Sequence, residues 1–492
     1  MGIVSRIRSF FGRTEEPKQS SRTVGLLARF DAASDSPEMR RHWQNADGLS
    51  ANASLLPHIQ RLLRNRARYE CANSPYLKGI VDTVSKDVVG TGPRLQVRTG
   101  NETIDNQLEN LFHTWADEIR LADKLRIARK AKAESGEIFL VLVFNGRLNH
   151  PVKLDIQLLE SDQCGDPIGV GLDPARVDGI DYDEFGNPAK YWFFRRHPGE
   201  GSAESMLSYS IDAKYVLHYF TADRPGQGRG IPDVAPSLNL CAVLRRFTLA
   251  TLLSAETAAN ISLAIQSDAP PEGADEVDPN TEIPFERGMA MTLPAGWKAE
   301  QIESKHPNTT FVEFVRTVAR EIGRPLSSPP NITLCDSAGL NYSSGRLDHQ
   351  TYGRAIAWDQ YDIGVRILGP IFRAFMEWAV LVEGEGGKSL LPQELRMVGA
   401  IPAPTWMWRG REHVDPEKEA KAQDIRLKNG MTNKRDECAK EGRDWAENDR
   451  QRKVEKDQEK DLGLTPELPA GQSSGAAATT AKDDDEEDDS GD

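Results

Sequence analysis

The sequence is poor in cysteine and has no basic surplus. Its five cysteines (Cys71, Cys164, Cys241, Cys335 and Cys438) lie far apart, form no CxxC pair, and have no histidine at ligand spacing. That excludes a disulfide framework and a structural zinc site, and it points to a reducing compartment. No run of 18 apolar residues occurs, so neither a transmembrane helix nor a membrane partner is expected. The N-terminus, Met1 to Arg13, is short, basic and amphipathic, without the apolar core or cleavage site of a signal peptide. Arg6 stands where a myristoylation signal wants Ser or Thr. This segment reads as an arm that docks on something acidic.

Motifs for catalysis are also missing. A nucleotide-driven motor needs a phosphate loop, GxxxxGK followed by Ser or Thr, and the sequence holds none. Gly226-Gln-Gly228-Arg-Gly230 fails the dinucleotide spacing, and there is no GxSxG, no HExxH and no zinc-deaminase signature. His349 lies near Ser343 and Ser344, but the pairing reads as loop hydrogen bonding rather than a nucleophile with its base. No enzyme, cofactor or metal is expected. Of the net charge of -14, more than half comes from residues 483–492, which carry eight acidic side chains and no basic one. The rest is nearly balanced, unlike a protein built to grip nucleic acid tightly.

What is present is a long order of helices and short strands. Apolar spacing predicts a helix over about 53–71, broken at Asn73-Ser74-Pro75, and a second helix opening at Pro75. Gly90-Thr-Gly92-Pro93 ends that helix before a strand at Arg94–Arg98. Helices follow at 102–118 and 121–134, then a strand from Glu137 to Phe144 closed by Asn145-Gly146. Leu154–Leu159 and Tyr191–Phe194 alternate as strands do. Asp181 to Pro188 superficially resembles a calcium loop, but Phe185 and Trp192 fall where oxygen ligands are needed, so it reads as a hairpin turn.

A helical stretch over 233–266 leads to a segment at 269–308 rich in Pro, Gly and acid, with strand-like pieces near Met289–Leu293 and Lys298–Ile302. Thr310-Phe-Val-Glu313 has the form of a capping box and opens another helix, stopped by Gly323 and Pro325. A polar loop of about 20 residues at 326–345 is long enough to suggest a function. A very long helix over 346–383 carries Gly353, Gly364, Gly369 and Pro370, so a kink is expected. The charged stretch 415–460 is helical in pattern, divided at Asn429-Gly430, and from Thr465 onward the composition is that of a disordered tail.

Four segments then resemble one family. Arg64-Asn-Arg-Ala-Arg-Tyr-Glu-Cys-Ala-Asn73-Ser-Pro75-Tyr76, running to Val88-Val-Gly90-Thr-Gly92, is similar to the N-terminal signature of lambda-family phage portal proteins. His218 with Arg224-Pro-Gly-Gln227, Arg229-Gly230 and Pro232 resembles a second motif. Asn341-Tyr342-Ser343-Ser344-x-Arg346 resembles a third. A C-terminal block comprises Val414-Asp-Pro416-x-Lys418-Glu-Ala420, Asn429-Gly430 and Glu441-Gly442-x-Asp444. The match covers about 50–460 in the right order. Ser327-Ser328-Pro329-Pro330 and Asp336 depart from the family's usual loop.

The resemblance implies an α+β portal fold: an α/β wing, a helical stem, a small β-containing clip, a long kinked wing helix and a helical crown. On this sequence it implies an arm at 1–50, the wing at 51–232, stem helices at 233–268 and 309–324 around a clip at 269–308, and a tunnel loop at 325–345. The wing helix then takes 346–385, the crown 386–462 and the acidic tail 463–492. It further implies a homo-oligomeric ring, commonly a dodecamer, at a capsid vertex of the virion, assembled in the host cytoplasm. Double-stranded DNA would pass without sequence reading, the terminase large subunit would dock, and capsid and head-tail adaptor proteins would bind. Asn331, Asn341, Tyr342 and Arg346 are the expected DNA-facing residues, although Asn341, Tyr342 and Arg346 read equally as a cap of the long helix. A capsid-interaction scaffold without a DNA channel and a nucleic-acid-processing enzyme with an unrecognised metal site are the competing readings.

Two further weighings concern single features. Arg61, Arg64, Arg66 and Arg68 read as a solvated or intersubunit salt-bridge face rather than a DNA lining. Trp406 and Trp408 read as core or subunit-interface packing rather than base stacking.

Overall fold

The computed structural model describes residues 41–167, 175–260, 264–267, 297–300, 311–339, 341–382, 390–391, 401–410 and 416–464. The chain divides into two units, Met1–Ser54 and Leu55–Asp492. In the first, the described residues form a short helix, α1 (Ala51–Ser54). The sequence expectations for residues 1–40, for Met289–Leu293, for a Thr310 cap and for the acidic tail lie outside the described residues.

The second unit begins with α2 (Pro57–Asn73) and α3 (Pro75–Val89), each with a proline in its first turn. Pro75 forces Ser74 into extended backbone, which ends α2, and the Ser74 hydroxyl then accepts from the Leu77 N–H at 3.4 Å. α3 buries Leu77, Ile80, Val81, Val84, Val88 and Val89. After β1 (Arg94–Gln96), α4 (Glu102–Glu118) starts at Asn101, whose side chain accepts from the Thr103 and Ile104 N–H groups. α5 (Leu121–Ser135) follows.

β2 (Glu137–Phe144) is the middle strand of an antiparallel sheet in the order β3-β2-β8, with β3 at Leu154–Glu160 and β8 at Val216–Phe220. Its run Glu-Ile-Phe-Leu-Val is buried on both faces, as a near-continuous apolar strand should be. One face joins the main core; the other, through Phe139 and Val141, packs on Ile180, Tyr191 and Phe193 of a second sheet. That sheet orders β4 (Arg176–Val177), β5 (Ile180–Tyr182), β6 (Pro188–Phe194) and β7 (Ser208–Asp212). The hairpin reading of 181–188 holds: Asp183 accepts the Phe185 and Asn187 N–H groups, and Trp192 donates to Asp181.

The main core closes around aromatics. Trp115 lies 5.0 Å from Phe375 between ring centroids, Phe112 lies 5.2 Å from Phe375, and the Trp115 indole N–H donates to the Leu154 carbonyl at 2.7 Å. Truncating such a residue typically costs about 3–5 kcal/mol. Trp406 joins them, 5.7 Å from Phe112, from β11 (Thr405–Met407), which pairs with β1. Packing, not base stacking, is therefore its role.

Several boundaries differ from the sequence reading. The helix expected over 233–266 is a 3-10 turn at Ala235–Ser237 and then α6 (Leu238–Asn260). Residues 264–267 form β9 (Ala264–Ser267), because they pair antiparallel with β10 (Trp297–Glu300). Such pairing is tertiary and overrides local helix propensity. α7 (Phe311–Gly323) packs on α6, with Phe247 5.7 Å from Phe311 and 5.2 Å from Phe314.

The polar segment at 326–345 is not one long loop, for it contains a short helix, α8 (Pro330–Leu334). α9 (Tyr342–Ile363) also starts earlier than expected, since Asn341 and Ser344 form a reciprocal capping box. The irregularity expected at Gly364, Gly369 and Pro370 is a π turn, Gly364–Leu368, leading into α10 (Gly369–Leu381). It falls where Pro370 has no N–H to give to the helical ladder. The C-terminal helices are α11 (Pro416–Lys428), α12 (Lys434–Lys440) and α13 (Trp445–Asp461), the last capped by Asp444.

Candidate functional site

Gly136 ends α5 in the left-handed region (φ 87) and places Glu137 at the mouth of β2. The chain returns against it at Gly230, where a Cβ would stand 2.1 Å from the Gly136 carbonyl oxygen. Only glycine allows that approach. It lets the Gly230 N–H donate to Glu137 Oε2 at 2.8 Å, while Arg229 Nε donates to Oε1 at 2.8 Å. His218 Nε2 lies 2.9 Å from Oε2, and the Ser161 hydroxyl donates to Oε1. Arg229 also reaches the Asp178 carboxylate and carbonyl, each at 2.6 Å.

Burial alone pushes the Glu137 carboxyl up, but Arg229 and His218 overrule it and hold it far below the usual range. Burial is the larger effect on His218, and it lowers that imidazole despite Glu137, so His218 is neutral and donates from Nε2. Arg64, one of the arginines read as a solvated or intersubunit face, is buried inside this unit. It donates to Ser161 at 2.7 Å and Asp162 at 3.2 Å. Arg68 pairs with Asp162 at 2.8 Å, whereas Arg61 and Arg66 are exposed. With every acceptor of Glu137 filled and no solvent access, this cluster locks four chain segments together rather than performing chemistry. The family motifs around Arg64, His218 and Arg229-Gly230 thus converge on one carboxylate. Sequence reasoning missed Glu137; the signal available was a lone charge opening a wholly apolar strand.

Glu160, Asp162 and His197 also converge. Arg68 already pairs with both carboxylates, and His197 Nδ1 accepts the Gly199 N–H at 3.0 Å. The neutral ring therefore carries its proton on Nε2, toward the acids, where a cation would need a lone pair.

The four expected DNA-facing residues gather around the start of α9. Asn341 Oδ1 accepts the Ser344 N–H at 2.8 Å, so its side chain serves as a helix cap. Tyr342 and Arg346, in the first turns of α9, are exposed, and the Lys418 ammonium lies 5.5 Å from the Tyr342 ring centroid. Asn331 on α8 is bonded to His349 on α9 at 3.0 Å. α6 and α7 leave large apolar side chains uncovered: Val243, Leu249, Leu252 and Leu253 on α6, Val312 and Phe314 on α7. By length and composition alone Ala235–Glu256 is apolar enough to cross a membrane, contrary to the sequence expectation. Its Arg245, however, is paired with Glu70 of α2 at 3.1 Å, within the protein.

Comparison with known proteins bears on what carries this site. Residues 36–360 match the model of the phage portal protein, lambda family. A probable portal protein of Halomonas phage phiHAP-1 is 24% identical over 458 residues, covering 87% of this chain and 86% of that one. Among solved structures, a chain from the neck of a native gene transfer agent particle, computed with C12 symmetry, aligns with a TM-score of 0.47. That alignment has 14% identity and covers 79% of this chain and 94% of that one. An HK97 family phage portal protein from Corynebacterium diphtheriae aligns with a TM-score of 0.30 at 11% identity, over 58% of this chain and 85% of that one. With the family model spanning most of the chain, including the Arg64, His218, Arg229-Gly230 and Asn341–Arg346 motifs, the protein belongs to the lambda family of phage portal proteins.

Proposed function

We propose that the protein assembles into a ring, of twelve subunits at a capsid vertex, whose axial channel passes double-stranded DNA during packaging and ejection. The observation that carries this reading is the uncovered apolar surface of α6 and α7. Leu252 and Leu253 are 62% and 61% exposed, far from what an isolated soluble subunit favours. A heterologous contact repeated around a closed ring covers such a face on every copy. In this reading α6 and α7 are stem helices, the segment between them is the clip, 325–345 faces the channel, and α11–α13 belong to the crown.

The charge balance supports passage rather than grip. Each phosphate neutralised by Lys or Arg strengthens binding by counterion release, so a strongly basic wall would hold DNA still. Asn331, Asn341, Tyr342 and Arg346 offer a mostly uncharged, sequence-indifferent lining at the start of α9. The chain acts as a structural conduit rather than an enzyme; the motor is the terminase large subunit, docking at the clip, with adaptor proteins following once the head is full. Electron microscopy of the purified full-length protein tests this. Rings with an axial hole as wide as duplex DNA are expected; rings without a hole, or monomers at high concentration, would leave the scaffold reading in its place.

A further inference from the structure

Arg316 on α7 and Asp336 beyond α8 face each other, with Nη2 2.6 Å from Oδ2. Both side chains are about one-third exposed, at 35% and 37%. The two ends of the connecting segment are held very differently. On the inner side, Gly323 abuts Thr333 so closely that a Cβ would stand 2.3 Å from its hydroxyl oxygen. Thr333 also bonds the Ser328 carbonyl and hydroxyl at 3.2 and 3.0 Å, and Asn331 is tied to His349.

Cys335 then turns the chain in the left-handed region (φ 49), a conformation that costs a non-glycine residue about 1–2 kcal/mol. Past that turn, the Arg316–Asp336 pair is the one side-chain bond, among the described residues, joining 336–339 to another element. The Asp336 carboxylate also accepts the Ala338 N–H at 2.8 Å, folding the tip on itself.

Asp336 is one of the two places where the sequence departs from the family's usual loop, and its partner belongs to a row. Arg316, Arg320 and Arg324 recur every four residues along α7 and the turn after it, with Arg320 and Arg324 exposed. Glu313 and Glu321, also exposed, keep that row from being strongly basic. An exposed pair such as Arg316–Asp336 is worth at most about 1 kcal/mol, whereas a guanidinium takes a phosphate in a charge-assisted, two-pronged contact.

We infer that Arg316 is a binding site for a backbone phosphate of duplex DNA, occupied by Asp336 whenever DNA is absent. The inference rests on the channel reading above and goes beyond it. A passing phosphate displaces Asp336, and the tip 336–339 is freed to move about Cys335. As the phosphate leaves, Asp336 returns to the guanidinium, so no contact on the strand is long-lived. An internal carboxylate thus weakens each DNA contact without removing the cation.

Three forms of the full-length ring test this: the parent, Asp336→Asn, and Arg316→Gln. Binding of a short fluorescent duplex is followed by anisotropy against salt, and hydrogen exchange is followed at 336–339. Asp336→Asn keeps an acceptor for Ala338 but frees the guanidinium, so DNA binding should tighten, by up to about fivefold per site, and exchange at the tip should rise. Duplex DNA should raise tip exchange in the parent and add nothing in Asp336→Asn. Arg316→Gln should weaken binding and flatten its salt dependence. Rings that bind DNA with an affinity and salt dependence untouched by either substitution overturn this inference alone. Rings that bind no DNA in any form overturn it together with the channel reading.

Discussion

Arg229 and Glu137 meet as an ion pair sealed from water, their side chains 3% and 0% exposed, with Arg229 Nε donating across 2.8 Å. Removing one partner strands a buried charge, which typically costs about 3–5 kcal/mol, more than a buried pair contributes over a well-packed apolar substitute. Arg229→Met alone should therefore lower stability by about that amount. Arg229→Met combined with Glu137→Gln should lose clearly less than the two single losses added. Urea unfolding of the three variants measures this; a single-variant loss within about 0.5 kcal/mol, the range of an ordinary surface substitution, would show that the lock is not energetic.

The same pair gives the protein an acid-sensitive fold. The Glu137 carboxyl sits below its ordinary value of 4.5, so its contribution is complete above that value and lost as pH falls toward the folded-state value. His218 sits below its ordinary value of 6.5, since burial outweighs its bond to Glu137. The unfolded chain binds that proton more readily, so this contribution too is complete above 6.5 and declines as pH drops. Relative to His218→Gln, the thermal midpoint of the parent should fall from pH 7 to pH 5, while the steeper loss below pH 4 remains in both.

Glu109 works with the opposite sign. Its carboxylate accepts the Val97 N–H at 2.8 Å, but burial first, and then the charges of Asp444 and Asp105, raise its pKa from 4.5 to about 7. A raised carboxyl favours the folded state while protonated, so its contribution is full below 4.5 and vanishes as pH rises through 7. Glu109→Gln keeps an acceptor for Val97 and removes the titration. Its unfolding midpoint relative to the parent should climb between pH 5 and pH 8; a pH-independent difference would refute the assignment.

These groups show where reading the sequence succeeds and where it stops. α4 at Glu102–Glu118 and β2 at Glu137–Phe144 were legible to the residue, because Asn101 and Gly136 are local signals that no distant contact contradicts. β9 was not, since Ala264–Ser267 is a strand only by virtue of Trp297–Glu300. The short α8 hid inside a polar stretch for lack of any apolar period. The family motifs were visible as strings, but not their meeting at Glu137, which joins positions far apart in sequence. From the sequence alone Asn341 reads equally as a DNA contact and as a helix cap. Its side chain is a cap, while Tyr342 and Arg346 beside it remain open to a ligand.

Gly230 gives a sharper test of the lock's geometry than any charge. Its backbone passes so near Gly136 that an added methyl would overlap the carbonyl oxygen at 2.1 Å and the Glu137 Cβ at 2.9 Å. The two segments cannot separate without breaking the Gly230 N–H bond to Glu137. Gly230→Ala should thus destabilise by well over the roughly 1–3 kcal/mol of ordinary overpacking, appearing as insoluble or protease-sensitive protein. Gly226→Ala, four residues earlier with nothing within 4 Å of its Cβ but a φ of +75, should cost only about 1–2 kcal/mol, the left-handed backbone penalty. Equal effects from the two would mean that backbone conformation, not close approach, governs this motif.

Leu252 and Val312 test assembly separately from folding. Both are more than half exposed on α6 and α7, so replacing either with Asp removes little buried surface from the subunit itself. Surface substitutions of that kind usually change stability by no more than about 0.5 kcal/mol. If neighbouring copies cover this face, Asp at either position places a charge against apolar surface with no partner, a cost of several kcal/mol in each repeated contact. The substituted subunits should keep their helix content and unfolding midpoint while sedimenting as monomers or small oligomers where the parent forms rings. Rings that assemble normally with Asp at both positions would place the subunit interface elsewhere and leave this apolar face for another partner.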